Sequence, residues 1–341
     1  MLKYHLIIFL LSLSAQRCVA MTADSISYNH STNRSIEKKA TFLSIYYGVS
    51  NYLGDLGGNS GIGKGFLYDV NFKKRSSFVG ISISKVKKEA VGFRLGYTTG
   101  SIAGSDGDAF YTSETDPAYK RYKRNLDFKS KISEWSLLLE IYPLKFLHQT
   151  KKAARWSMQP YLIGGAGRFK FNPQGSYVDP ITRGDTWVDL HPLSTEGQGM
   201  KEYPTQKPYK LTQLNLPYGL GIQYKTGTKT SISFEYIGRK LFTDYLDDVS
   251  TTYIDPSLFT TYFNPSDAAT AASINNKSNL IDPTNPYQVG DKRGNAKKND
   301  FYYSFNLKVS IQMNKKKIQS IKSMNLPAWQ HYKYDNQERC Y

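Results

Sequence analysis

The chain has 341 residues, 40% of them hydrophobic and 14% aromatic, and carries 45 Lys and Arg against 28 Asp and Glu for a formal net charge of +17. No stretch beyond the N-terminus approaches the roughly 18 consecutive apolar residues of a spanning helix. A transmembrane helix is therefore excluded, and strands are the remaining way to cross a bilayer.

Residues 1–20 read as a cleavable signal peptide. Lys3 gives the positive start, Leu6 to Leu13 an apolar run too short to span, and Cys18-Val19-Ala20 the small residues before a cut. Arg17 stands where lipoprotein processing before Cys18 would need a small residue. Cleavage removes Lys3 and Arg17 and no acid, so +17 becomes +15. Only Cys340 then remains, which excludes an internal disulfide. So basic an exported chain suggests contact with anionic lipid headgroups or an acidic partner. Nucleic acid is the rival reading, but no recognition motif supports it and export argues against it.

The segments that follow alternate with a period of two, the signature of strands with one greasy and one wet face. Leu43, Ile45, Tyr47 and Val49 are the first apolar set; Val79, Ile81 and Ile83 the second; Val91, Phe93, Leu95 and Tyr97 the third. Trp135, Leu137, Leu139 and Ile141 follow, and then Tyr161–Phe171, where Gly164, Gly165 and Gly167 blur the phase. Leu214 to Tyr224, Ile232 to Tyr236 and Phe301 to Met313 complete the series. Segments of this length match the roughly 9–11 tilted residues of a barrel strand in a membrane. The expected fold is all-β: a transmembrane up-and-down antiparallel β-barrel of about eight strands over residues 40–313, with long extracellular loops. A soluble barrel or sandwich also alternates. Against it stand the aromatic apolar faces, with Tyr near strand ends, and opposite faces too small and charged for a dry core.

The connections alternate in length. Those near Lys85–Ala90 and Thr226–Thr228 are short and read as periplasmic, as does the longer, basic Pro143–Ser157. Gly54–Ser76, Ser101–Arg124, Asn172–Lys210 and Phe242–Asp300 are long and read as extracellular. The last, rich in Asn, Asp, Ser, Thr and Pro, is expected to be partly disordered or ordered by a ligand. Arg94, Glu134, Glu140, Arg168, Glu235, Arg239 and Lys308 are assigned to the lumen. In a barrel of this size mixed charges form a paired plug rather than a conduction path. Beyond the last strand, residues 314–341 form a basic tail, periplasmic by parity. Lys315, Lys316, Lys317, Trp329 and Tyr332 there are candidates either for hugging headgroups or for docking a periplasmic partner.

Motifs for catalysis or cofactors are weak. Gly58 to Lys64 nearly spells a phosphate loop, but Gly65 replaces the magnesium-binding Ser or Thr, so it reads as a flexible glycine loop. Gly164-Gly165-Ala166-Gly167 reads as bends within a strand. Asp244, Asp247, Asp248 and Asp255 make an oxygen-rich loop of the kind that suits hard cations, without EF-hand spacing. The five His residues show no zinc spacing. Asp189, His191 and Ser194 lie close in sequence, which seldom makes a triad. No cofactor is implied.

Longer segments carry a family resemblance. They are Gly48 to Gly57, Arg124 to Lys129, Pro160 to Pro173, Trp187 to Gly199, Tyr209 to Gly221 and Thr243 to Asp255. Together they resemble the PorG-like outer-membrane proteins of the type IX secretion and gliding machinery of Bacteroidetes. The match runs in order from about residue 41 to 255 and again over the last strand. The resemblance implies a cell outer-membrane barrel that is not an enzyme. It also implies association with a periplasmic ring, built from a lipoprotein and its partner protein, which the barrel helps to anchor. The 264–300 segment and the tail match no family pattern. A stand-alone barrel, adhesive or structural through its long loops, is the alternative; an outer-membrane enzyme using Asp189, His191 or Ser194 is the third reading.

Overall fold

The computed structural model of the protein describes residues 39–56, 76–87, 89–109, 111–147, 158–178 and 184–313. The expected signal peptide, the glycine loop at 58–64 and the basic tail with Lys315, Lys316, Lys317, Trp329 and Tyr332 lie outside the described residues.

Every one of the eight alternating segments forms a strand, and a further one forms within the 172–210 connection; the strands are named in chain order. They are β1 (Lys39–Leu53), β2 (Ser76–Lys87), β3 (Val91–Ser105), β4 (Asp127–Ile141), β5 (Met158–Val178), β6 (Asp185–Asp189), β7 (Thr212–Lys225), β8 (Thr230–Leu241) and β9 (Phe301–Met313). The sheet runs β4-β3-β2-β1-β9-β8-β7-β5, all antiparallel, and β4 pairs with β5 to close it. The result is an eight-stranded up-and-down barrel. Short β6 stands apart, continuing only the far end of β5 as a hairpin from Gln174↔Asp189 to Val178↔Asp185. Closure gives every barrel strand a paired neighbour on each side and leaves no open sheet edge, the condition for spanning hydrocarbon.

The alternation sets which way each side chain faces. Leu307 is 55% exposed while Lys308 next to it is 3% exposed. All eight barrel strands put apolar residues outside, among them Ile45, Ile81, Phe93, Leu137, Leu162, Leu220, Phe234 and Val309. In water this band would be a continuous apolar patch of a size that soluble proteins avoid. Against lipid it is the expected surface of an outer-membrane barrel. Connections of 88–90, 142–157 and 226–229 lie at one end, with the start of β1 beside the end of β9 (Thr41↔Met313). The strand ends from which the long connections leave lie at the other, here called the outer end.

Two expectations about that end are corrected. β3 continues to Ser105 and β5 to Val178, so both rise well past the belt into what reads as loop by composition. The long 242–300 connection is not disordered but folded, with a helix over Pro265–Asn275 and short helical turns before and after it. Asn264 caps that helix by accepting from the Asp267 amide at 3.0 Å. Ala268, Ala271 and Ile274 bury one face of it against Leu190, Leu193, Met200, Ile254 and Phe259. The polar composition hides this helix because its buried face is built from alanines.

Candidate functional site

The lumen is stratified. Nearest the short-connection end is a cup of about 430 Å³, whose lining includes Phe42, Val86, Tyr142, Gln159 and Gln223. Its floor is a charge cluster. Arg94 donates from Nε to Glu140 Oε1 at 2.6 Å, and from Nη1 and Nη2 to both oxygens of Glu235 at 3.0 and 2.6 Å. Lys308 Nζ sits 2.6 Å from Glu235 Oε1 and 3.5 Å from Glu140 Oε1. The Tyr161 hydroxyl donates to Glu235, and the Tyr142 hydroxyl to Glu140 at 3.0 Å. These residues come from β3, β4, β5, β8 and β9, so the cluster ties together strands on opposite sides of the barrel.

One layer further out, Glu134 accepts from Arg239 Nε at 2.9 Å, Asn215 at 2.6 Å and the Tyr302 hydroxyl at 2.8 Å. The Arg239 guanidinium lies over the rings of Tyr302 and Phe78, 5.0 and 5.5 Å from their centroids. Across the two layers Arg94, Arg239 and Lys308 balance Glu134, Glu140 and Glu235, leaving no net charge among these six buried groups. Six of the seven lumen residues expected from sequence thus form the plug. Arg168 does not: it is exposed and faces outward. On β5 the inward positions are Tyr161, Ile163, Phe169 and Phe171, which puts Arg168 and Lys170 on the outer face. Leu162 faces out as on the other strands, but past Gly164 the outward positions are Ala166, Arg168 and Lys170 while Phe169 and Phe171 fill the lumen, and the glycines hide that change. The ladder to β4 runs through Gly164 to Gly167 unbroken, while the pairing with β7 skips Gly165 and Ala166; a Cβ on Gly165 would collide with the Leu137 carbonyl on β4.

The outermost layer is apolar, which corrects the expectation of a wholly small and charged lumen. Phe78, Ile102, Phe128, Ile132, Phe169, Phe171 and Tyr302 of the barrel pack with Leu56, Leu126, Leu246, Val249 and Tyr209 of the loops. A shared core therefore welds the loops to the barrel mouth as a cap, and the lumen is stoppered twice.

Two buried arginines organise the cap. Arg124 donates to both oxygens of Asp106, at 2.7 and 2.9 Å, and to the carbonyls of Asp55 and Arg293. Arg293 donates to Glu196 Oε1 at 2.9 Å and to the Asp248 and Asn275 carbonyls at 2.7 and 3.3 Å. Glu196 also accepts from the amides of Ser250 and Thr251, both at 2.9 Å. Asp248 accepts from the hydroxyls of Thr195 and Tyr209. Nothing in the sequence marks Arg293 or Asp106; Arg124 and Glu196 are visible only as members of the family-like segments. The segments behind the resemblance meet here, since Asp55, Arg124, Thr195, Glu196, Tyr209 and Asp248 all belong to them.

The aspartate-rich loop lies within this network. Asp247 and Asp300 both accept from the single Tyr52 hydroxyl, each at 2.6 Å. One phenolic proton cannot serve two carboxylates, and burial raises the pKa of both acids. Burial, reinforced by Asp55, Asp247 and Glu196, pushes Asp244 up to about 8. Burial raises Asp248 to about 6 against the pull of Arg293. Asp255 is apart from them, capping a helical turn by accepting from Ser257 N at 2.9 Å. Among the described residues no group of three His, Cys, Asp or Glu is placed to hold a metal ion.

Each raised carboxyl binds its proton more tightly in the fold than in the unfolded chain, whose value is about 3.9. Their contribution to stability is therefore full below the unfolded value, declines as pH rises above it, and is gone once the folded values are passed. Cap protection, read by hydrogen exchange over 242–300, is expected to weaken from about pH 4 to about pH 8. Asp244→Asn should flatten the upper part of that decline.

Asp189, His191 and Ser194 do not form a triad. Asp189 accepts from Gln174 at 2.7 Å, and His191 Nε2 faces the Tyr209 carbonyl at 2.8 Å. Ser194 holds a left-handed backbone at φ 46°.

Residues 30–187 match the model of a family described as a domain of unknown function (DUF6089). No curated protein matches the chain. Solved structures that resemble it include the attachment invasion locus protein Ail of Yersinia pestis, bound to the heparin analogue sucrose octasulfate. That likeness is at 10% identity and TM-score 0.34, over 81% of this chain and 99% of that one. Neisserial surface protein A gives 10% and 0.33 over 81% and 100%, and a major outer membrane protein of Thermus thermophilus gives 11% and 0.37 over 80% and 100%. The barrel assignment rests on the strand pairing itself.

Proposed function

We propose that the protein is a non-catalytic, sealed barrel of the cell outer membrane that serves the type IX secretion and gliding machinery by anchoring its periplasmic ring. The geometric observation that carries the scaffold reading is the doubly stoppered lumen, with the Arg94, Glu140, Glu235 and Lys308 cluster below and the aromatic layer above. A barrel closed in this way has its outer wall, its cap and its periplasmic rim left to act with. The secretion role is supported by the ordered run of PorG-like segments, and by their meeting in the Arg124 and Arg293 network. The periplasmic rim, with the tail from residue 314 onward, is the face offered to the ring lipoprotein and its partner.

In planar bilayers the purified protein is expected to give no unitary conductance. In cells, crosslinks from Lys315, Lys316, Lys317, Trp329 or Tyr332 should reach ring components, and deletion should stop cargo export. Normal ring abundance and normal cargo secretion in a deletion strain would remove the secretion assignment. The second reading, a stand-alone barrel acting through its loops, is favoured by one observation: the cap is folded and presents Leu280 and Val289, 64% and 57% exposed, on its surface. Under that reading, loss of residues 264–290 abolishes surface binding while secretion continues.

A further inference from the structure

The outer wall of the barrel carries a feature that a plain lipid-facing surface does not need. Arg168 sits at the same level as Trp135 on β4 and Leu214 on β7, its direct register partners. Those neighbours are 58% and 63% exposed, so the guanidinium stands at the upper edge of the apolar belt. Lys170 is next along the outer face of β5, opposite Thr212, and Lys131 on β4 lies diagonally beside it, opposite Asn172. Lys210 precedes β7 on the other side. All four are exposed. Neighbouring outward positions on adjacent strands are roughly 5–8 Å apart, so these cations repel unless an anion lies among them. Among the described residues no carboxylate forms an ion pair with any of them.

A concavity accompanies the cluster. Arg168, Lys210 and Leu214 line an open groove of about 710 Å³ between cap and wall, together with His191, Tyr209 and Thr212. Its upper side is cationic and polar, while its lower side continues into the apolar wall through Leu214 and Leu216. A cation at this height cannot be submerged in hydrocarbon without large cost, so it lies at the headgroup level.

We propose that this groove binds a phosphate-bearing lipid headgroup of the outer leaflet. Arg168 and Lys210 of the groove hold the phosphate with Lys170 beside them on β5, and the acyl chains lie against Leu214 and Leu216. An Arg fork matches phosphate geometry, flanking lysines supply point charge, and the site faces along the wall where a lipid, not a soluble ligand, arrives laterally. The inference requires the membrane placement of the barrel and is independent of the secretion role.

The full-length protein in nanodiscs of phosphatidylethanolamine, doped with bis-phosphorylated lipid A or its dephosphorylated form, provides the test, with retained lipid counted by native mass spectrometry. Preferential retention of the phosphorylated form is expected. At about fivefold per cation, Arg168→Gln/Lys170→Gln/Lys210→Gln should weaken it about a hundredfold. Lys85→Gln/Lys87→Gln at the opposite rim should leave retention unchanged. Both variants must keep the heat-modifiable gel mobility of the folded barrel; if the triple variant loses it, the three single variants are compared instead. Equal retention of the two lipids by the native protein would overturn the proposal. So would a triple variant that retains lipid A normally, or a loss restricted to soluble dextran sulfate, which would mark the patch as a site for an acidic macromolecule.

Discussion

Glu235→Leu is expected to destabilise the barrel by about 3–5 kcal/mol, the usual consequence of removing one partner from a buried charge network. Glu235 takes both Nη groups of Arg94, the Lys308 ammonium and the Tyr161 hydroxyl. Without it two cations share Glu140 alone, in a lumen layer where Arg94 is 2% and Lys308 3% exposed. Water could relieve part of this by entering from the cup of about 430 Å³ below. The loss should appear as a lower temperature for the shift in gel mobility on heating, or a lower denaturant midpoint in detergent. Arg94→Met/Glu140→Leu/Glu235→Leu/Lys308→Met removes two charges of each sign. It is expected to recover most of the loss, because a well-packed apolar replacement avoids the desolvation cost. If Glu235→Leu melts like the native protein, the cluster is not what holds the lumen together.

The second large effect belongs to the cap. Arg293 is 2% exposed and Glu196 fully buried. Arg293→Met leaves that carboxylate without its cation and takes a donor from the Asp248 and Asn275 carbonyls. A cost of about 3 kcal/mol or more is expected, which raises the open population of the cap about a hundredfold. Proteolysis within 242–300 should accelerate accordingly while the strands remain protected. Arg293→Lys should rescue only in part, since an ammonium cannot span three acceptors as a guanidinium does. Simultaneous loss of barrel mobility on gels would mean that cap and barrel unfold as one unit through their shared aromatic core.

How far the chain is legible depends on what decides each feature. Period-two alternation reports a residue's neighbours along the strand, so the eight barrel strands, the outward Leu307 and the inward Lys308 could be read directly. The same rule misplaced Arg168, because β5 turns Tyr161, Ile163, Phe169 and Phe171 inward and, beyond Leu162, offers the belt only Gly164 and Ala166. Which face of β5 meets lipid is set by the aromatic layer that fills the outer lumen, and that layer is assembled from several strands and loops. The 242–300 connection was misjudged for a related reason. A loop rich in Asn, Asp and Ser lacks a hydrophobic core of its own, but it shares one with Leu190, Leu193 and Met200.

The sequence by itself determined a closed barrel with a greasy outside and a charged inside, since side chains in a strand must alternate and unpaired backbone cannot lie in hydrocarbon. The tertiary structure alone decided which charges meet. Arg94 finds Glu140 and Glu235 only because closure of the sheet brings β3, β4 and β8 to face one lumen. Arg293 finds Glu196 only because the cap folds over the mouth. Pairing across such sequence separations is fixed by geometry in three dimensions, and no pattern along the chain encodes it locally.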